Sequence, residues 1–160
     1  VVQVNIQVNG RQVGREVEDR TLLVEFLRRE AGLTGTHVGC DTTQCGACTV
    51  HLDGAAVKSC TVLAAQADGG SVRTVEDLER DGRLSAVQQA FVQCHGLQCG
   101  FCTPGMIMAI EYFLRERPAA LDDETIHTAL EGNICRCTGY VNIIEAVRHA
   151  ARALYPEVAA

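Results

Sequence analysis

The sequence predicts an α+β chain built as two units, a small bent sheet with one helix and then a run of helices. Three observations carry that prediction. Val2, Val4, Ile6 and Val8 alternate with Gln3, Asn5 and Gln7, the period of a strand with one buried face. Beyond Ser85 the apolar spacing changes to three and four residues, the period of helices. Eight of the nine cysteines fall into two sets of four, one set in each half.

The elements follow in order. Asn9-Gly10 is a strong two-residue hairpin signal, because such turns need positive φ at both central positions. Arg11–Val17 is the returning strand. From Thr21 the period lengthens, and Leu22, Leu23, Phe26, Leu27 and Glu30 predict a helix ending at Gly32. Residues 32–48 carry four glycines and few periodic apolar positions, so they read as a loop. Thr49–Leu52 predicts a short strand, Asp53-Gly54 a second hairpin turn, 57–60 its partner strand and 72–75 a last strand. Ser85 can cap a helix running to about Gln93. Thr103-Pro104 opens another, since proline fits the first helical turn, and Pro118 bounds it. Asp122 caps a third that ends at Gly132. Ile143, Ile144, Val147, Ala150, Ala151 and Leu154 mark a fourth. Met106 and Met108 lie at helical spacing and read as core.

The composition shifts across residues 78–84, which divides the chain into units 1–78 and 79–160. Units this small often lean on metals or disulfides to supplement the core. A net charge of −6 with no basic stripe argues against nucleic acid. Lys58 is the single lysine among 14 basic residues. No apolar run is long enough to span a bilayer, and no secretory or twin-arginine pattern opens the chain. A cytoplasmic location is therefore expected, and there cysteines read as metal ligands before they read as disulfides.

The first cysteine set is Cys40, Cys45, Cys48 and Cys60; the second is Cys99, Cys102, Cys135 and Cys137. Four thiolates are the complement of one [2Fe–2S] cluster, and Cys40-x4-Cys45-x2-Cys48 is the opening of the plant-type ferredoxin pattern. Gly39, Gly46 and Gly100 each adjoin one of these cysteines. Glycine lets the backbone turn sharply and brings N–H groups near sulfur, which is one control on reduction potential. The helix opening at Thr103 would offer its N-terminal dipole to an anionic cluster, worth roughly 0.3–1 kcal/mol if aligned. Arg136 could add positive charge between Cys135 and Cys137, or be a plain surface residue. Two Zn(Cys)4 sites satisfy the same count, and the second set's spacing discriminates less than the first. Cys94 stands outside both sets and reads as a buried free thiol, with redox sensing as the alternative.

Other chemistry finds no pattern. There is no G-x-G-x-x-G after a strand and no phosphate loop, so flavin or nicotinamide binding on this chain is not expected. No Ser/His/Asp set is recognisable. His37, His51, His95, His127 and His149 are scattered and read as structural or exposed. No catalytic residue is assigned to this chain.

Three segments carry a resemblance. Gly39-Cys40-Asp41 leading to Cys45-Gly46-Ala47-Cys48-Thr49-Val50 resembles the N-terminal cluster motif of the xanthine oxidase family of molybdenum hydroxylases. His95-Gly96-Leu97-Gln98-Cys99-Gly100-Phe101-Cys102-Thr103-Pro104-Gly105-Met106 is similar to its second motif. Gly132-Asn133-Ile134-Cys135-Arg136-Cys137-Thr138-Gly139-Tyr140 is similar to its third. Almost the whole chain resembles the small iron–sulfur subunit of the carbon monoxide dehydrogenase, aldehyde dehydrogenase and N-heterocycle hydroxylase type. The resemblance implies an N-terminal β-grasp ferredoxin domain and a C-terminal four-helix bundle, each holding one [2Fe–2S] cluster. It implies a large subunit with molybdopterin, often as the cytosine dinucleotide, and a medium subunit with FAD, in a dimer of heterotrimers. Electrons would pass from the molybdopterin centre through both clusters to FAD or another acceptor. Gln98 and Cys137 would approach the pterin. Cys60 follows Cys48 by 12 positions, closer than in plant ferredoxins and in agreement with the hydroxylase subunits. Two rival readings are a free-standing two-cluster ferredoxin and a zinc-stabilised interaction module.

Overall fold

The computed structural model describes residues 1–156; the last four residues of the predicted 79–160 unit lie outside the described residues. β1 (Val2–Val8) and β2 (Arg11–Val17) pair antiparallel with Val8 opposite Arg11. Asn9 and Gly10 both take positive φ, the conformation that a two-residue hairpin loop requires. Val4, Ile6 and Val8 face inward as the alternation predicts. β3 (Thr49–Leu52) and β4 (Ala55–Lys58) form the second hairpin, and β5 (Ser71–Arg73) runs parallel to β1 and antiparallel to β3. The sheet order is β2-β1-β5-β3-β4. α1 spans Leu23–Glu25 and continues as a π-helical turn over Phe26–Glu30. Its Leu23, Phe26 and Leu27 fill the core beneath the sheet.

Two strand boundaries differ from expectation, each for a local reason. Residues 57–60 were expected to be strand, but β4 ends at Lys58 and Cys60 lies on a 3-10 turn, Ser59–Thr61. The Ser59 hydroxyl donates to Cys48 O at 2.7 Å, a side-chain bond that competes with the ladder. The strand expected over 72–75 stops at Arg73. Thr74 N donates instead to Asn9 Oδ1 at 2.9 Å, and Val75–Asp77 closes into a 3-10 turn.

The second half holds α2 (Ala86–Gln93), α3 (Thr103–Arg115), α4 (Asp123–Leu130) and α5 (Val141–Leu154). The predicted caps form. Ser85 Oγ accepts from Gln88 N at 3.2 Å while Gln88 Oε1 accepts from Ser85 N at 2.9 Å, a reciprocal capping box. The Asp122 carboxylate accepts from Thr125 N at 2.8 Å, and that bond holds its pKa below the ordinary range. Phe91, Met106, Met108, Ile110, Leu114, Ile126 and Ile143 make a second core, separate from the first. Leu78 also packs there. Among the described residues no helix is long and apolar enough to cross a membrane.

Candidate iron–sulfur sites

The N-terminal thiols sit on the loop between α1 and β3 and on the turn after β4. The loop is held at several points by side chains. Arg28 donates to Thr34 O and Thr36 O, both at 2.7 Å, tying the helix to the loop start. Lys58 Nζ donates to Thr43 O at 2.7 Å and Gln44 O at 3.2 Å, bracing its middle. Gly46 turns at φ +71°, and Thr49 closes on its carbonyl from both N (3.1 Å) and Oγ1 (2.7 Å). Cys48 is buried; Cys40, Cys45 and Cys60 are half-buried. Cys45 N donates to Cys40 Sγ at 3.5 Å.

The C-terminal thiols lie where two helices begin. Cys102 is the N-cap residue of α3, and Tyr140 is that of α5. Phe101 N donates to Cys99 Sγ at 3.5 Å, and Gly100 between Cys99 and Phe101 has φ +81°. Thr138 Oγ1 donates to Cys135 Sγ at 3.2 Å. The Tyr140 hydroxyl accepts from Cys135 N at 2.8 Å and donates to Asn133 O at 3.2 Å. That pair of bonds is made by a residue held at φ +68°, a conformation a bulky residue adopts only when its surroundings enforce it. Cys99 and Cys137 are exposed with their sulfurs 3.5 Å apart, whereas Cys135 is buried and Cys102 half-buried.

Within each set the thiols lie close enough to raise one another's pKa: Cys60 feels Cys48, Cys40 and Cys45, Cys102 feels Cys135 and Cys99, and Cys137 feels Cys99 and Cys135. Among the described residues, no three Cys, His, Asp or Glu side chains converge as they would around a single ion. Four thiolates in each set match the donor count of one two-iron cluster. The amides add to the fit. N–H donation from Cys45, then its thiol, lowers Cys40 to about 6. Burial pushes Cys60 up to about 12, followed by its bond to Cys48, and burial likewise pushes Cys102 to about 12. Burial also works against ionisation of Cys135, but hydrogen bonds from the Thr138 hydroxyl and amide, the Cys137 amide and the Cys102 thiol together outweigh it, so its pKa is lowered. Hydrogen bonding with Cys99 raises Cys137.

The two loops touch. Ile134, the residue before Cys135, donates its N–H to Cys45 O at 2.8 Å. Asn133 Nδ2 donates to Gly46 O at 3.0 Å. His37 Nδ1 donates to Phe101 O at 2.7 Å with the rings stacked 4.8 Å apart. A Cβ on Gly105 would lie 2.2 Å from Gly46 O, and one on Gly46 would lie 2.3 Å from Gly132 O, so each close approach needs the glycine that makes it. Further back, His51 Nε2 donates to Met108 O at 2.8 Å, joining β3 to α3.

The residues singled out in sequence are accounted for as follows. Cys60 lies near Cys48, Cys40 and Cys45, and Cys102 lies near Cys135 and Cys99. Gln98 is exposed beside Cys99, and Arg136 is exposed between Cys135 and Cys137. Met106 and Met108 are fully buried. Cys94 lies in neither set and is half-buried, and burial raises its pKa. Sequence reasoning missed Lys58, Asn133 and Tyr140 as supports. Asn133 and Tyr140 stood inside a motif read for its cysteines, and the lysine was noticed only as a count.

Comparison with known proteins decides the family. Residues 6–77 match the 2Fe-2S iron-sulfur cluster binding domain family, and residues 74–148 match the [2Fe-2S] binding domain family. The chain is 53% identical over 148 residues to the caffeine dehydrogenase subunit gamma of Pseudomonas sp. strain CBB1, covering 91% of this chain and 88% of that one. It is 44% identical over 149 residues to the xanthine dehydrogenase iron-sulfur-binding subunit of Escherichia coli O157:H7, covering 91% and 92%. The chain belongs to the small iron–sulfur subunits of the xanthine oxidase family of molybdenum hydroxylases. Its fold agrees. The quinoline 2-oxidoreductase of Pseudomonas putida 86 superposes with a TM-score of 0.90 at 41% identity, covering 98% of this chain and 97% of that one. The aldehyde oxidoreductase of Desulfovibrio gigas superposes with a TM-score of 0.89 at 38% identity, where this chain matches 18% of a longer one. This small subunit is thus an electron-transfer, [2Fe–2S]-binding component of an oxidoreductase complex, with substrate chemistry on another chain. The free-standing carrier and the zinc module lose to that reading.

Proposed function

We propose that Cys40, Cys45, Cys48 and Cys60 ligate one [2Fe–2S] cluster in a β-grasp unit and that Cys99, Cys102, Cys135 and Cys137 ligate the other in a four-helix unit. The division falls at 78, with Leu78 itself packed among the helices. Bound there, the clusters supply one-electron redox chemistry. The chain's own groups do the rest. The Cys45 and Phe101 amides and the Thr138 hydroxyl donate to sulfur, stabilising anionic thiolate. The starts of α3 and α5 place helix N-termini at the second set, where negative charge is favoured.

The single observation that carries a relay is the 2.8 Å hydrogen bond from Ile134 N to Cys45 O. It connects one proposed ligand to the neighbour of another, which two independent structural staples would not need. The exposed edge formed by Gln98, Cys99 and Cys137 suits entry from a large molybdopterin subunit carrying the cytosine dinucleotide. Val38, Leu97, Phe101, Ile134 and Val141 are exposed apolar residues close in sequence to the thiols, as expected of a surface covered by partner subunits. A medium FAD subunit would take the electrons, in a cytoplasmic dimer of heterotrimers.

The test is purification of the native complex with metal, pterin and flavin analysis. Reduced material is expected to give two distinct [2Fe–2S] EPR signals. Stoichiometric zinc with no iron would sink the assignment. Gln98→Ala is expected to slow reduction of the helical cluster with iron retained; a normal rate per cluster with iron lost would show Gln98 to be structural.

A further inference from the structure

Lys58 combines three features that the loop-bracing role does not use up. It is the only lysine in the chain. Its Nζ reaches the middle of the loop between Cys40 and Cys45, while its backbone lies opposite Thr49, next to Cys48, and two residues before Cys60. Among the described residues it makes no ion pair; Glu116, which lines the same cavity of about 310 Å³, pairs with Arg115 at 3.6 Å.

The geometry of one peptide unit gives that cation a target. Gln44 O accepts from Lys58 Nζ at 3.2 Å, and the N–H of the same peptide, on Cys45, donates to Cys40 Sγ at 3.5 Å. A trans peptide holds its C=O and N–H rigidly antiparallel. A cation at the oxygen therefore both fixes the tilt of the N–H and polarises it toward sulfur. The second bond, to Thr43 O at 2.7 Å, locks the neighbouring peptide at a residue with φ +67°.

We propose that Lys58 is a positioning residue for the N-terminal thiol set and that, through the 44–45 peptide and its own charge, it raises the reduction potential of the cluster held there. This rests on the ligand assignment proposed above. Reduction adds one electron, and with it one negative charge, to the cluster. A nearby uncompensated cation favours the more negative state. Its effect is local, since the helical set is supported by other groups.

EPR-monitored redox titration of the intact complex separates the roles. Lys58→Met removes charge and donor, Lys58→Gln keeps an N–H donor without charge, and Lys58→Arg keeps both. Lys58→Met is expected to lower the reduction equilibrium constant of the N-terminal signal roughly tenfold, about 59 mV for a one-electron couple. Lys58→Gln should fall between, Lys58→Arg should restore the native value, and the helical signal should stay put in all three. An unmoved N-terminal potential in Lys58→Met and Lys58→Gln, or an equal shift of both signals, would overturn the proposal. So would loss of N-terminal iron in both neutral variants, since Lys58 would then be structural only. Absence of two [2Fe–2S] signals in the unsubstituted complex would overturn the ligand assignment instead.

Discussion

The N-terminal thiols hang on a loop whose shape is set from outside, by Arg28, Lys58 and Thr49 reaching across to its carbonyls. The C-terminal thiols sit at helix starts, and their support comes from within ten residues, chiefly from Thr138 and Tyr140. Exposure differs as well. The helical set is graded, with Cys99 and Cys137 open to solvent and Cys135 buried, whereas no thiol of the first set is fully exposed. A site built on helix ends can present one edge to a partner and keep the other in its own core. A site built on a long loop depends on whatever the loop is pressed against, and here that is its own sheet on one side and the helical half, through Asn133 and Ile134, on the other.

Two glycines test this contrast, because each adjoins a proposed ligand and each has positive φ. Gly46→Ala carries the largest expected effect. Its Cβ would lie 2.3 Å from Gly132 O and 2.6 Å from Asn133 Nδ2, so the junction must open in addition to the left-handed strain. We expect a loss of roughly 3 kcal/mol or more by denaturant titration, with iron lost from both sets. Retention of full iron and stability would show that the first loop does not depend on the junction. Asn133→Ala should cost less, about 1–2 kcal/mol, since it removes two junction hydrogen bonds, to Gly46 O and Thr49 Oγ1, while Thr49 still satisfies Gly46 O. Gly100→Ala, at φ +81° with nothing within 4 Å of the added Cβ, should cost about 1 kcal/mol from strain alone. Iron analysis should then find the N-terminal set intact; a loss there would contradict the local support of the helical site.

What could be read from the sequence divides along the same line. β1, the Asn9-Gly10 turn, and the Ser85 and Asp122 caps were legible because period and cap chemistry act within a few residues. The two proposed sets of four thiols were read from spacing and motif, which also act along the chain. Cys60 was placed on a strand because its neighbours read as β, and nothing local announced that Ser59 would turn onto Cys48 O. The supports of the first loop were invisible for a similar reason. Lys58 to Thr43, Asn133 to Gly46 and Ile134 to Cys45 are contacts made by residues 15, 87 and 89 positions apart, and they leave no periodic trace. Gly46 did carry a signal, but it was read for sulfur and not for the backbone it meets, and Gly105 was read only as part of a motif.

The smallest expected effect concerns His51, which lies in the sheet half and bonds to the helical half. It is 4% exposed, its Nε2 donates to Met108 O, and its Nδ1 is buried with no partner. Burial lowers its pKa from 6.5, against the raising effect of the Met108 carbonyl, with Arg115 and Arg73 lowering it further and Glu111 raising it. The folded ring therefore stays neutral where the unfolded ring takes up a proton, so folding stability falls as pH drops below about 6.5 and is insensitive to this group above it. His51→Gln keeps an N–H donor for Met108 O and removes the titration. Comparing Tm at pH 8 and pH 6 should show a smaller drop in this variant than in the native complex. Equal drops would mean that the junction between sheet and helices carries no proton-linked term at this position, leaving the contacts around Gly46 to account for its stability.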